Sequence, residues 1–124
     1  MFKVIICGSR EFDDYELLKE KCDNILSRKR DSGEEIVVIS GAANGADSLG
    51  EEYAKERGFR VERYPADWKT FGKKAGYIRN KKMAEVGNAC IAFLEPGVEC
   101  RGTRMMISIA KEQNLLLRVI EREE

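Results

Sequence analysis

The chain has 124 residues, a length that one core accommodates, and its 22 Lys and Arg balance 22 Asp and Glu, so it carries no global basic field with which to coat nucleic acid or a membrane. His is absent and Cys7, Cys22, Cys90 and Cys100 form no C-x-x-C pair, which removes the usual zinc spacings and the commonest general base; reduced structural thiols, no metal and no cofactor are expected. The apolar run after Met1 is too short for a signal peptide, and no stretch approaches the roughly 20 apolar residues of a membrane span, so a cytoplasmic protein of one domain, residues 1–124, is expected.

Taken in order, Val4 to Cys7 reads as a strand and ends on the turn Gly8-Ser9-Arg10. Tyr15, Leu18, Cys22, Ile25 and Leu26 follow at helical spacing. Ile36 to Ser40 is a second strand, leading into Gly41-Ala-Ala-Asn-Gly45-Ala46-Asp47 and a helix marked by Ala46, Leu49, Tyr53 and Ala54 that stops at Gly58. A third strand, Arg60 to Tyr64, precedes Pro65-Ala-Asp-Trp68, after which Ala75, Ile78, Met83 and Val86 outline a helix ending at Gly87. The fourth strand, Ala89 to Leu94, is followed by Arg101-Gly102-Thr103, a helix through Met106, Ile109 and Ala110, and a fifth strand from Leu115 to Ile120. Glu121 to Glu124 read as a solvated tail. The strands are rich in Val, Ile and Leu without clear alternation, as strands buried on both faces are. Strict βα alternation with short connections predicts an α/β, Rossmann-like doubly wound fold: a five-stranded parallel sheet in the order 3-2-1-4-5 with helices on both faces.

In such a sheet the ligand lies outside the carboxyl ends of the strands, where the three glycine turns gather. Backbone without Cβ can approach an anion, and the free N–H groups of a helix start point at it, so a nucleotide phosphate is the expected ligand. Gly8, Ser9 and Arg10 offer backbone, a hydroxyl and a planar guanidinium; Gly41, Gly45 and Ala46 offer a tight turn at a helix start. The Gly41 turn is neither G-x-G-x-x-G nor a Walker A sequence. Asp47 suits either a ribose hydroxyl or the cap of its own helix, and Thr103, after Gly102, either a phosphate or an N-cap. Arg79 falls in the middle of its helix's apolar stripe, beside Asn80; it either reaches into the crevice to meet an anion, or snorkels or pairs with a structural carboxylate. Trp68 and Tyr64 present aromatic faces that suit stacking on a base or packing in the core. From Trp68 to Ala84 there are six basic residues and no acidic one.

The segments Gly8-Ser9-Arg10 with Phe12, Gly41 to Asp47, Tyr64-Pro-Ala-Asp-Trp68, Gly72-Lys-Lys-Ala-Gly76 and Ile78-Arg-Asn80 with Met83 together resemble the SLOG superfamily, and within it the small YpsA-related branch of bacteria and phages. The resemblance implies a Rossmann-like domain that binds nucleotides or nucleotide-derived ligands, commonly as a homo-oligomer. More distantly the chain is similar to the Lonely Guy phosphoribohydrolases, which cleave the N-glycosidic bond of cytokinin nucleotides. Arg79 and Met83 match their third helix and Gly102-Thr103 their phosphate loop, but the loop from Glu95 is longer and Met106 stands where those enzymes carry the catalytic Glu. A thioether cannot accept a proton, which leaves Glu95, Glu99 or Asp47 to take that part. The expectation is therefore a nucleotide-binding sensor or effector module, with N-glycoside hydrolysis as the alternative. Single-strand DNA binding is a third reading, drawn from the likeness to DNA-processing protein A and the basic segment.

Overall fold

Strands whose residues are apolar throughout have no face to offer water, so they take the middle of a sheet that helices cover on both sides. In the computed structural model, which describes residues 1–122, β1 (Phe2–Gly8), β2 (Ile36–Ser40) and β4 (Ala89–Leu94) hold that position. β3 (Arg60–Arg63) and β5 (Leu116–Glu121) form the edges, giving the order β3-β2-β1-β4-β5 with every pairing parallel. The expected strand order is the observed one. Val4 lies level with Val38 on one side and Ala89 on the other, which fixes the register at the centre. The edge strands differ from expectation in being half exposed, because only one neighbour covers each.

Side chains alternate between the two faces. Val4, Ile6, Val38, Ile91 and Phe93 pack with Leu18, Cys22 and Leu26 of α1 (Tyr15–Asp31) and Tyr53 and Ala54 of α2 (Ala46–Arg57). Ile5, Cys7, Ile39, Cys90 and Ala92 pack with Met83 and Ala84 of α4 (Ala75–Val86) and Met106, Ile107 and Ile109 of α5 (Arg101–Glu112). Asp23 of α1 accepts from the Tyr53 hydroxyl at 2.7 Å and from Arg57 Nε at 2.9 Å, which joins α1 to α2. All four cysteines are free and buried. Among the described residues no helix is long and apolar enough to cross a membrane.

Three local expectations need correction. A short helix, α3 (Trp68–Phe71), and a 3-10 turn at Gly72–Lys74 precede α4; neither has a buried residue, so no apolar period announced them, although Asp67 caps α3 by accepting from Thr70 N at 3.1 Å. The buried face of α4 is Ala75, Asn80, Met83 and Ala84, with Val86 exposed, so the helix is rotated from the stripe its apolar residues suggest. The solvated tail fails where it can be seen: Glu121 closes β5, and Arg122 forms a two-pronged ion pair with buried Glu95. Residues 123 and 124 lie outside the described residues. Gly58 stops α2 in the left-handed conformation, with φ of 76°. Gly87 ends α4 in extended backbone, and its missing side chain instead leaves room for Ile5, whose Cδ1 would be 3.1 Å from an added Cβ.

Gly8 is where strand, sheet neighbour and helix converge. A Cβ there would collide with the Phe93 carbonyl oxygen and sit 2.8 Å from the Ala46 Cβ, neither of which is the free end of a flexible chain. Gly8→Ala is expected to lower stability by about 3 kcal/mol or more in urea unfolding. A midpoint equal to the parent's would show that β1 and β4 can separate at this level.

Candidate functional site

The loops after β1 and β2 are folded onto each other by main-chain contacts. Ser9 N donates to Phe93 O at 2.9 Å, and Ala46 N donates to Ser9 O at 3.1 Å. Gly45, with φ of 75°, lies so close to this loop that a Cβ would be 2.5 Å from Arg10 O and closer still to Ser9 O. Gly41 has a different reason to lack a side chain: a Cβ there would be 2.7 Å from Arg79 Nη1 and 2.8 Å from Asp47 Oδ2. Two amides of this second turn are engaged by side chains, Ala42 N to Ser40 Oγ at 3.0 Å and Ala43 N to Asp47 Oδ2 at 3.2 Å. The turn's glycines therefore let loops close on one another, and Gly45 and Ala46 buttress the site from behind. Ala42 holds φ of 62° in this loop, a conformation in which glycine is the usual residue.

The start of α5 is built in the opposite way. Its N-cap is Cys100, which supplies no side-chain bond, and Thr103 lies inside the first turn instead of capping it. The N–H groups of Arg101, Gly102 and Thr103 have no protein partner among the described residues, the first intrahelical bond running from Arg104 N to Cys100 O at 2.8 Å. These three residues line a cavity of 320 Å³ at the carboxyl edge of the sheet, together with Gly8, Ser9, Arg10, Asp47, Arg79 and Asn80. Cys7, Met83 and Met106 supply apolar wall. In the sequence Cys7, Met83 and Met106 read as apolar positions, Met83 and Met106 also as places matched to the phosphoribohydrolases; their nearness to the crevice is signalled by their places at a strand end and on inward helix faces. A second cavity of 280 Å³ adjoins it, lined by Gly41, Trp68, Arg10 and Arg79. Gly45 and Ala46 line neither.

Arg79 reaches the sheet edge but is held there by carbonyls: Nη1 donates to Gly41 O at 2.5 Å and Tyr64 O at 3.5 Å, and Nε to Asn80 Oδ1 at 2.8 Å. Asn80, almost fully buried, passes the link on through Nδ2 to Gly102 O at 3.4 Å. Arg10 is exposed and makes no ion pair or hydrogen bond through its side chain among the described residues. The two aromatics divide: Tyr64 packs against the core, while Trp68 is 54 % exposed. Of the carboxylates, Glu95 is tied to Arg122 and does not line the cavity; Glu99 lines it but pairs with Arg101 at 2.9 Å; Asp47 lines it and is buried. Burial pushes Asp47 up from 3.8 to about 6, against the Ala43 N–H and the Arg79 charge that favour its ionised form. The adjacent Cys90 thiol, 3.8 Å away, and burial hold Cys7 well above the ordinary thiol range, so it remains protonated and inert.

Parallel strands in this order, with an uncapped helix start and two arginines around a crevice at their carboxyl ends, define a Rossmann-like doubly wound α/β protein. The chain belongs to the YspA, cpYpsA-related SLOG family (YAcAr), whose model matches residues 2–71. It is also similar to the gene 61 protein of Mycobacterium phage D29, 37% identical over 99 residues that cover 75% of this chain and 77% of the phage protein. The family match takes in both interlocked loops and Trp68; Arg79, Asn80, Gly102 and Thr103 lie beyond it.

Asp47 makes the site pH-sensitive in a defined direction. Its folded-state value of about 6 exceeds the ordinary 3.8, so between those values the folded chain holds a proton that the unfolded chain has released, and stability falls as pH rises through that window. Asp47→Asn retains an acceptor for Ala43 N–H and removes the buried charge. Near neutral pH it is expected to be more stable than the parent by on the order of 1–3 kcal/mol, with the difference closing below pH of about 4. A difference that stays constant across this range, measured by thermal unfolding, would mean that the carboxylate is solvated.

Proposed function

We propose that the protein binds a nucleotide or nucleotide-derived ligand in the crevice at the carboxyl ends of its strands, as a sensor or effector module. The observation that carries this reading is the first turn of α5, whose Arg101, Gly102 and Thr103 N–H groups lack protein acceptors and line a cavity that also holds Arg10. A phosphate satisfies such donors, and the helix dipole adds attraction of about 0.3–1 kcal/mol. The cavity's apolar wall of Cys7, Met83 and Met106 suits the uncharged part of such a ligand. Membership of the SLOG family supports the same class of ligand.

N-glycoside hydrolysis is the second reading, favoured by one feature: Asp47, a buried carboxyl group held in the same cavity as the proposed phosphate site. Against it stands Met106, which lines the cavity without any group to accept a proton or stabilise a cation. The binding reading also includes self-association, supported by Leu116 and Val119, which stand exposed on the edge strand β5; light scattering of the purified chain tests it.

Gly102 provides a clean test because open space surrounds it: a Cβ would meet nothing within 4 Å. Gly102→Ala is expected to fold at least as stably as the parent, since alanine favours a helix over glycine by up to about 1 kcal/mol. It is also expected to lose about tenfold or more of the thermal-shift affinity for AMP, ADP or ATP, because the new methyl intrudes on an anion at the helix start. Mass spectrometry of each mixture reads release of free base, which the binding reading predicts to be absent. Unchanged affinity in Gly102→Ala would move the phosphate away from α5.

A further inference from the structure

We infer that the ligand is two-lobed: a nucleotide whose phosphate or pyrophosphate is bonded to a second ring-bearing group, one group in each of the two adjoining cavities. This rests on the nucleotide-binding reading and goes beyond it by naming the ligand's shape and charge. The cavities, 320 and 280 Å³, each stand near the small end of the about 300–1,000 Å³ that small-molecule sites span, and they adjoin, because Arg10, Ala43 and Arg79 line both. Two arginines therefore stand where the cavities meet. Arg79 is anchored through Nη1 and Nε, which leaves Nη2 without a partner among the described residues, and Arg10 is wholly unpartnered. Two fork-shaped cations where the cavities meet match a phosphate bridge, with donors to spare for a pyrophosphate.

Each lobe is suited to a ring. The second cavity is walled by Trp68, which α3 displays to solvent although none of that helix's side chains is buried. The indole lies beside α4: a Cβ at Gly76 would be in ordinary van der Waals contact with Trp68 Cη2, at 3.6 Å. A large aromatic that rests against a helix yet stays uncovered is a stacking surface, and we assign it the second ring-bearing group. The first cavity sets the apolar surface of Met83 and Met106 beside the polar groups of Asn80 and Thr103 and the start of α5, a combination that suits the nucleotide itself. A mononucleotide fills only one lobe and leaves the other wet.

Trp68 is the chain's single tryptophan, so its fluorescence reports on the second lobe alone. Calorimetric titrations with AMP, ADP-ribose and NAD, followed in parallel by indole emission, are expected to give at least tenfold tighter binding of the two-lobed probes than of AMP, with quenched emission. Trp68→Ala, whose exposed ring can be removed without opening the core, is expected to abolish that advantage while leaving AMP within threefold of its parent affinity. AMP binding as tightly as ADP-ribose and NAD, or a preference that survives Trp68→Ala, would overturn the two-lobed ligand and leave the nucleotide reading in place. Failure of all the probes to bind would overturn both.

Discussion

A half-buried guanidinium facing two carbonyl groups is a strong constraint, because removing either side strands a polar group away from water. Arg79 imposes this constraint at the carboxyl edge, where Nη1 donates to Gly41 O just beyond β2 and to Tyr64 O just beyond β3. A side chain at position 41 would push the guanidinium and the Asp47 carboxylate out of this arrangement, since their tips occupy its space. Asp47 in turn holds Ala43 N, and Ala43 lines the boundary between the two cavities. Asn80, bonded to Arg79 Nε, passes the same connection to the Gly102 carbonyl of α5. The shape of the crevice thus follows from one side chain's bonds to main chain.

What the crevice offers a ligand is determined by which backbone donors that arrangement leaves over. The loops after β1 and β2 satisfy each other, with Ala46 bonded to Ser9 O and Ala42 to Ser40 Oγ. The first turn of α5 does not participate, so among the described residues its donors stand open at this edge with Arg10, beside the free amides of Asp47 and Ser48 at the start of α2. Asp47 bears the same sign as an incoming anion; with its value raised to about 6 it is ionised at neutral pH, and its repulsion of the anion falls as pH drops through that value. The net charge of zero is consistent with recognition concentrated in one crevice in place of a basic surface.

The sheet was legible in the sequence because apolar runs such as Ile36 to Ile39 and Ala89 to Leu94 read as buried strands, and alternation with helical periods points to parallel pairing. Arg79 was legible as an anomaly, a charge in an apolar stripe, but its partners were not, since carbonyl groups leave no signature in side-chain identity. The same limit hid the division among the glycines: Gly8, Gly45 and Gly102 look alike as residues, and only packing separates the two that neighbours enclose from the one that faces open space. The α3 helix escaped because its four residues bury nothing, so no period could mark it.

The central claim is that an anion of the ligand sits on the open first turn of α5 and against Arg10. Backbone amide NMR of the labelled protein, titrated with AMP, tests this directly, because each donor reports for itself. The largest shift changes are predicted at Arg101, Gly102 and Thr103 and in the Ser9 to Glu11 loop, with the interior amides of β1 and β4 unmoved. Changes confined to α1 and β5, with those at the start of α5 absent, would contradict the claim and place any ligand elsewhere on the protein.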